Sequence, residues 1–409
     1  MSTSFPGNQQ SAYQLTDAQD IDYYSVFADI PQVDRTIWQR ARDFAQAHVE
    51  TMRQGWNDHH YPLEVAQAMG KAGLINDGVD HPAIEKISPL AAGLVNMELS
   101  RVDGSLGTIL AVQAGLALRT IAMFGSEEQQ AQYIRAIADV EIPAAFGLTE
   151  PDHGSDSTGL STTATRQDDG SYVIRGSKRW IGNGSAGGIT ITFARVNDEG
   201  AEDHGKVRGF IVPQDAQGYT GTPIRHKGSL RAIDQADIFY DDVQIRADAL
   251  IPGVKSFCNV SQVLYATRIG VAWSALGHAT AVFESALAYA TQRKQFGKYL
   301  AEHQMIQERL TRMLSELVSM QLYMVRIAEL ESAGTLQPTQ AALAKYNNTR
   351  VARRIAADAR DMLGGNGILI ANGVIQHMAD IEGIHTYEGT ESIQALLVGR
   401  DITGYSAFA

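Results

Sequence analysis

A single glutamate near the C-terminus, Glu388, occupies a position suited to general-base catalysis. It lies within residues 384–397 (IHTYEGTESIQALL), where a turn over residues 385–389 is predicted to lead into a helix that Thr390 caps. The following Gly389 lets another group approach the backbone closely. Acidic residues are also common near the positive N-terminal end of a helix without any catalytic role. This stretch alone leaves both interpretations open, a base at the mouth of a pocket or an ordinary helix-start carboxylate.

Four other stretches of the sequence bear on the choice between a catalytic base and an ordinary helix-start carboxylate. They are residues 146–156 (FGLTEPDHGSD), 178–183 (KRWIGN), 293–297 (RKQFG) and 364–367 (GGNG). Each has a plain structural explanation: a polar loop, a core tryptophan, a cation at a helix C-terminal end, and glycines after a helix. Together with residues 384–397, however, they resemble the acyl-CoA dehydrogenase family in both order and spacing. The resemblance covers nearly the whole chain.

The composition sets the class of protein to which the chain can belong. Its 409 residues are enough for two or three domains and a large core. The net charge of −12 argues against nucleic acid or an anionic membrane as the main partner, although local basic residues could still hold an anionic ligand. A single cysteine, Cys258, excludes an internal disulfide framework. No apolar run is predicted to span a bilayer, no signal-peptide pattern opens the chain, no metal site is predicted, and we expect a cytoplasmic protein.

The hydrophobic periodicity changes twice along the chain and predicts an α+β multidomain fold. Residues 1–147 show helical spacing and predict an N-terminal helical domain, of which residues 1–20 are predicted to be poorly ordered. Residues 148–252 hold short β-branched and aromatic runs between turn signals, which predicts an antiparallel β-domain of the sandwich or barrel kind. Residues 253–409 return to helical spacing and predict a C-terminal four-helix bundle. No GxGxxG pattern follows a strand, so a Rossmann cofactor site is not expected.

The family resemblance implies an FAD site and assigns residues to it. The flavin ring and the thioester end of the substrate are assigned to one set: Phe146, Leu148, Thr149, Ser155, Trp180, Ile181 and Gly182. The diphosphate and adenosine side of an FAD bound mainly by a neighbouring subunit is assigned to another: Arg293, Gln295, Phe296, Gln304, Gly364 and Gly365, with Thr390 and Ser392 completing the site. A cofactor site shared in this way implies an oligomer, and the family is usually a homotetramer.

The resemblance also implies the chemistry, the α,β-dehydrogenation of an acyl-CoA thioester. Glu388 removes the α-proton, and N5 of FAD accepts the β-hydrogen as hydride. The backbone N–H of Glu388 and a ribityl hydroxyl of the cofactor hold the thioester oxygen. Such a base requires a pKa raised by desolvation, which Tyr387 and Trp180 are placed to provide. The substrate contacts implied are Ser155, Arg268, Tyr387 and Gly389, and for Arg268 a buried helix–helix ion pair is the alternative.

Two departures from the family pattern bear on specificity. Gly182 stands where a Thr or Ser usually donates a hydrogen bond to the flavin N5, and the missing side chain is expected to leave space that could admit dioxygen. Residues 101–108 (RVDGSLGT) resemble both glutaryl-CoA dehydrogenases and the short-chain acyl-CoA oxidases of plants. At Gly107 the former carry an Arg that pairs with the distal carboxylate of glutaryl-CoA. We therefore expect a short apolar acyl chain, with Trp273 flooring the pocket, and poor turnover of glutaryl-CoA.

Three hypotheses follow for the function. The first is a dehydrogenase that passes electrons to an electron-transfer flavoprotein. The second is an acyl-CoA oxidase that passes them to dioxygen and forms hydrogen peroxide, and Gly182 favours it. The third is a helical scaffold that has kept the fold without catalysis, against which the intact Glu388, Arg293 and glycine loop argue.

Overall fold

The computed structural model describes Leu15 and residues 20–408, so the predicted disorder of residues 1–20 falls almost entirely outside the described residues. The N-terminal part is helical, as predicted. Ser126 caps its last helix, because its hydroxyl accepts the Gln129 N–H while the Gln129 side chain returns to the Ser126 backbone. The helices are α1 (Gln32–Ala47), α2 (Val49–Asp58), α3 (Leu63–Lys71), α4 (Pro89–Val102), α5 (Gly104–Leu110), a π-helix (Ala111–Leu118), α6 (Arg119–Phe124) and α7 (Glu127–Ala138).

Helix α5, the π-helix and α6 form one continuous helical segment, Gly104–Phe124. It is long and apolar enough to cross a membrane, so the prediction that no run has that length was wrong. In the fold, 67% of its most apolar window is buried against the rest of the chain. Core helices of globular proteins have the same composition, because they are covered on most sides.

The middle part is a β-sheet with the strand order β6-β7-β3-β2-β4-β5-β8, and β1 pairs with β4. Most pairings are antiparallel as predicted, but β1 and β2 both run parallel to β4. Strand β1 lies before the boundary predicted at residue 148, because its short, fully buried AAFG run gives no alternating pattern. The strands are β1 (Ala144–Gly147), β2 (Thr163–Arg166), β3 (Tyr172–Gly182), β4 (Ile189–Val196), β5 (Val207–Pro213), β6 (Tyr219–Pro223), β7 (Gln235–Ile245) and β8 (Leu250–Ile251).

The C-terminal part contains one more helix than the four predicted. The unpredicted helix continues through His385 to Thr386, so the turn predicted over residues 385–389 begins too early. Gly383 lies inside this helix, where a Cβ would come within 2.5 Å of the Ser229 hydroxyl. The elements are α8 (Phe257–Gln292), a hairpin of β9 (Lys294–Gln295) and β10 (Lys298–Tyr299), α9 (Gln304–Ser332), α10 (Pro338–Met362), α11 (Val374–Thr386) and α12 (Glu391–Thr403).

The two helical parts share one hydrophobic core, which includes residues of α4, α8 and α10. Trp273 of α8 shows how closely they pack, since a Cβ on Gly93 of α4 would lie 2.1 Å from its indole ring. The Trp273 ring thus packs in the interface between α4 and α8, and its place at the floor of the substrate pocket stays a prediction. This shared core holds α8 and the ends of α10 and α11 in fixed relation to one another.

Candidate active site

Glu388 lies on a tight turn between α11 and α12. Its φ is +56°, a left-handed conformation that a non-glycine residue rarely adopts. The next residue, Gly389, has φ +85°, and a Cβ there would meet the Gln394 side chain at 2.5 Å. Thr390 then caps α12, as predicted, because its hydroxyl accepts the Ile393 N–H at 3.4 Å. The turn thus presents Glu388 in a conformation that the surrounding groups must maintain.

Two side chains hold the backbone of this turn. The Lys345 ammonium of α10 donates to the carbonyl of His385 at 3.4 Å and, more closely, to those of Tyr387 and Gly389. The Gln394 amide of α12 donates to the carbonyls of Glu388 at 2.9 Å and of Gly389 at 3.0 Å. The carbonyls around the turn therefore find partners within the protein.

The Glu388 carboxylate faces α8. Its Oε2 accepts a hydrogen bond of 2.7 Å from the Thr267 hydroxyl. Burial raises the pKa of Glu388 above its usual value, while the Thr267 hydrogen bond and the positive charges of Arg268 and Lys345 oppose the increase. A carboxylate whose pKa is raised toward neutrality is suited to accept a proton from carbon.

Arg268 is buried beside Glu388 rather than exposed on the helix surface. Its guanidinium lies over the Tyr265 ring, 4.8 Å from the centroid, and its Nε has no hydrogen-bond partner. Among the described residues, Arg268 forms no ion pair with another helix, which was the alternative, and its positive charge acts on Glu388 instead. A contact between Arg268 and CoA remains a prediction.

The ends of β1 and β3 bring several residues of the predicted flavin set together. The Arg179 N–H donates to the Thr149 carbonyl at 2.8 Å, which joins the loop after β1 to a bulge in β3. Trp180 lies in that bulge with φ +65°, and half of its side chain is exposed. Phe146, Leu148 and Ile181 are buried behind this surface, whereas Ser155 lies exposed on the loop.

A buried ion pair supports the same loop. Lys178, fully enclosed, donates to Glu150 at 2.8 Å and to the Leu148 carbonyl at 3.1 Å. The Lys178 ammonium and the hydrogen bonds from Ser161 and Thr162 outweigh desolvation and lower the pKa of Glu150 to about 2. Leu148 and Thr149 are thereby fixed on the side of the sheet that carries Trp180.

The structure corrects the interpretation of Gly182 as an open space. A Cβ at this position would lie 2.8 Å from Cγ2 of Val112, which the π-helix directs against the end of β3. The volume that a larger residue would occupy is therefore filled by the valine side chain. No local pattern indicates this contact, because residues 112 and 182 lie on different elements.

The residues predicted for the diphosphate and adenosine end form a second, distant group. Arg293 ends α8, and Gln295, Phe296 and Gln304 follow it around the β9–β10 hairpin, with Phe296 95% exposed. Thr267 and Arg293 are 26 residues apart on one helix, a separation of roughly 39 Å. A single chain therefore keeps its Arg293 far from its own Glu388, which lies against Thr267.

The glycine loop after α10 lies near the same end of α8. Its Asn366 donates to the Tyr289 hydroxyl at 3.0 Å. A Cβ on Gly364 or Gly365 would meet nothing within 4 Å, whereas one on Gly367 would collide with the Arg360 carbonyl. The first two glycines thus border open space that a cofactor could fill, and the residues present fit an FAD. Thr390 and Ser392 were predicted to complete the cofactor site. The Thr390 hydroxyl caps α12, and Ser392 is exposed.

Sequence comparisons account for all three parts of the fold. Models of the acyl-CoA dehydrogenase N-terminal, middle and C-terminal domains match residues 32–141, 145–243 and 257–403. The chain belongs to the acyl-CoA dehydrogenase family. The mitochondrial short-chain specific acyl-CoA dehydrogenase of Bos taurus is 32% identical to it, over 92% of this chain and 91% of that protein.

Solved structures of the family superimpose closely. Glutaryl-CoA dehydrogenase from Mycobacterium smegmatis has a TM-score of 0.90 at 34% identity, covering 94% of this chain and 97% of that one. A glutaryl-CoA dehydrogenase from the same organism in complex with FADH2 has a TM-score of 0.89 at 31% identity, covering 93% and 97%. This acyl-CoA dehydrogenase family member is thus an oxidoreductase, and the predicted enzyme class and FAD cofactor are confirmed.

Proposed function

We infer that the protein catalyses the α,β-dehydrogenation of a short-chain acyl-CoA to the trans-2-enoyl-CoA, with Glu388 as the base. The observation that carries this inference is a carboxylate with a raised pKa, held on a left-handed turn opposite Thr267 and Arg268. Glu388 accepts the α-proton, and the β-hydrogen leaves with its electron pair as the C=C bond forms. FAD, when bound, supplies the acceptor for that hydride.

The residues around Glu388 prepare the thioester for proton loss. The left-handed turn exposes the Glu388 N–H, which is proposed to donate to the thioester oxygen as negative charge develops there. Partial burial keeps bulk water from the carboxylate, and Tyr387 and Trp180 line the dry surroundings of the reacting carbons. Ser155, Arg268 and Gly389 are proposed to contact the CoA thioester, and the anionic CoA is compatible with the positive charge of Arg268.

An electron-transfer flavoprotein is the proposed electron acceptor, and the cytoplasm the proposed location. The contact between Val112 and Gly182 supports this acceptor, because it fills the space that was expected to admit dioxygen. Timing the reoxidation of the reduced enzyme in air, together with counting hydrogen peroxide, separates the two acceptors. Reoxidation at the rate of catalytic turnover, with one hydrogen peroxide per acyl-CoA, would instead identify an oxidase.

The proposed substrate is a short apolar acyl chain rather than glutaryl-CoA. Gly107 lies inside α5, and a Cβ there would come within 2.1 Å of the Ser100 hydroxyl, so the buried Ser100 side chain stands where a cationic side chain would have to begin. A distal carboxylate buried without a partner would cost several kcal/mol. We expect butyryl-, isobutyryl- and hexanoyl-CoA to exceed glutaryl-CoA in kcat/KM, and no decarboxylation. Glutaryl-CoA emerging as the best substrate would contradict this specificity.

The decisive experiment replaces Glu388 with Gln, which keeps the shape of the side chain but removes the base. Glu388→Gln should retain FAD and bind acyl-CoA while flavin reduction under anaerobic conditions is nearly abolished. Reduction within about tenfold of the wild-type rate, a barrier change of only about 1.4 kcal/mol, would show that Glu388 is not the base.

A further inference from the structure

Lys345 is a lysine buried on the apolar face of a helix. Only 1% of it is exposed, and its neighbours on that face of α10 include the buried Ala341, Ala344 and Asn348. Burying an ammonium among such residues is costly unless each of its N–H groups finds an acceptor. The acceptors here are the carbonyls of His385, Tyr387 and Gly389, all in or beside the Glu388 turn.

The number and position of these acceptors suit the protonated form of the lysine. A protonated ammonium has three N–H groups and matches three carbonyl oxygens, whereas a neutral amine would direct its lone pair at one of them. Two of the carbonyls, those of Tyr387 and Gly389, belong to the residues on either side of Glu388. The Tyr387 carbonyl belongs to the peptide group just before Glu388, and the Gly389 carbonyl to the one that joins Gly389 to Thr390, so Lys345 holds the backbone on both sides of Glu388 from one point.

These hydrogen bonds stabilise the strained, left-handed conformation of the turn. A non-glycine residue with positive φ costs on the order of 1 kcal/mol or more and persists only where its surroundings impose it. Gln394 supports the turn from α12, but its amide reaches only the carbonyls of Glu388 and Gly389. Lys345, which lies on α10, also donates hydrogen bonds to the carbonyls of His385 and Tyr387 at the end of α11.

We propose that Lys345 is the positioning residue for Glu388: its ammonium holds the left-handed turn and thereby aims the Glu388 carboxylate and backbone N–H at the substrate. This role rests on the proposed function of Glu388. The charged and titratable groups that face Lys345 are Glu388 itself, Arg268 from α8 and His385 from α11. Burial lowers the pKa of Lys345 to about 7, and the charge of Glu388 opposes that decrease.

The test compares two substitutions on the same face of α10, each of which replaces a buried polar side chain with an unbranched or branched apolar one of similar length. Lys345→Met removes the ammonium, and the control Asn348→Leu removes a buried hydrogen bond of 3.1 Å to the Ala272 carbonyl, away from the turn. In holoenzyme, Lys345→Met should lower the limiting rate of flavin reduction by butyryl-CoA about 100-fold, the loss expected when a catalytic group is misplaced by ~1 Å. The Kd for butyryl-CoA and the FAD content should change less than threefold. The control should reduce at close to the wild-type rate.

Amide hydrogen exchange gives a readout that does not depend on turnover. Peptides covering residues 387–395 should exchange at least tenfold faster in Lys345→Met than in Asn348→Leu. Where Lys345→Met does not fold, Lys345→Gln, which keeps two donors, should show both effects to a smaller degree. Equal rates and equal exchange in the lysine variants and the control would overturn the proposal.

A parallel measurement on Glu388→Gln separates the two inferences. Full activity in that variant defeats the proposed function, and the exchange data then decide alone whether Lys345 holds the turn. Loss of activity in Glu388→Gln combined with wild-type behaviour of Lys345→Met defeats only the positioning role.

Discussion

The Glu388 carboxylate is held between opposing influences on its charge. Burial favours the protonated acid, whereas the Thr267 hydroxyl and the two nearby cations favour the carboxylate. The balance leaves the pKa raised but the ionised form accessible. Each of these groups is a single side chain, so its share can be measured by substitution.

Replacing Thr267 with Val should move the acidic limb of the pH–rate profile toward neutrality. Proton abstraction requires the carboxylate form, so the rate of flavin reduction is lost as pH falls through the pKa of Glu388. The Thr267 hydrogen bond lowers that pKa, and its removal therefore raises it. A hydrogen bond to a charged group contributes about 1.5 to 3 kcal/mol, which corresponds to a shift of about one to two pH units.

The matched control for Thr267→Val is Thr280→Val on the same helix. The Thr280 hydroxyl is also buried, but it donates only to the Leu276 carbonyl one turn earlier. Its pH–rate profile should coincide with that of the wild type. A profile for Thr267→Val that also coincides with the wild type would show that this hydrogen bond does not tune the base.

At the scale of elements, the π-helix joins the N-terminal helices to the flavin side of the sheet. Its Gln113 side chain accepts the Ala144 N–H of β1 at 2.8 Å and the Asn183 amide, just after β3, at 3.0 Å. The preceding residue, Val112, packs against Gly182. One short segment therefore sets the position of β1, the end of β3 and the volume beside Gly182.

The pair Val112 and Gly182 should behave as one packing unit. Gly182→Ser alone should destabilise the fold by about 1 to 3 kcal/mol, because the new side chain overlaps Val112. The same substitution in a Val112→Ala background should cost less, and the coupling should exceed about 0.5 kcal/mol in a double-mutant cycle measured by urea unfolding.

The same variants test access of dioxygen. Val112→Ala opens the space beside Gly182 and should speed the reoxidation of reduced enzyme in air, while the double variant should restore the slow rate. Additive free energies of unfolding and identical reoxidation rates would both contradict the idea of a shared volume.

At the scale of the whole molecule, α8 separates two groups of residues that are predicted to bind the cofactor. Its 36 residues carry Thr267 in the first third of the helix and lead to Arg293 at its C-terminal end. The hairpin beyond it exposes Phe296 almost completely. Both features support an oligomer in which one subunit's Arg293 end meets another subunit's Glu388 end, and the proposed state is a homotetramer.

Two inactive variants should therefore complement each other. Arg293→Ala should lose FAD on dialysis at high salt, because its guanidinium is proposed to bind the diphosphate, and Glu388→Gln should not reduce flavin. Co-expression of the two should restore about a quarter of the sites if each is built from two randomly mixed subunits. A mixture with only the summed activity of the two variants would indicate that each site lies within one chain.

The sequence predicted the secondary structure that follows from local hydrophobic periodicity and from the spacing of capping residues. Helices at both ends of the chain, mainly antiparallel strands between them and the cap at Thr390 follow from local patterns, and the structure contains all three. Helix α11 was not predicted, because its buried face includes the polar Gln376, His377 and Asp380 and its sequence therefore shows no continuous apolar stripe.

The contacts that hold the site residues in place were harder to predict than the site residues themselves. Lys345 lies at helical spacing among alanines, a signal that marks a buried lysine but not its acceptors. Thr267 and Val112 gave no signal, because their partners Glu388 and Gly182 are distant in sequence. Contacts of this kind depend on how the helices cross, and no single-element pattern carries that information.

The π-helix has a consequence for how the chain tolerates changes in length. Removing one residue from a straight helix rotates everything that follows by about 100°, which would turn buried faces toward water. A π-segment holds one residue more than the α-helix that would join the same two ends. Removing Ala114 should therefore convert Ala111–Leu118 to an α-helix and leave both α5 and α6 in place.

The deletion variant should fold, with a melting temperature a few degrees below that of the wild type. Removing Ala279, from the buried face of the straight α8, should by contrast yield no soluble protein. The shorter chain would lose the local backbone geometry that brings Val112 to Gly182. The extra residue of the π-helix would then be an insertion that the active site requires but the fold does not. Equal loss of soluble protein in the two deletion variants would show that the fold requires this residue as well.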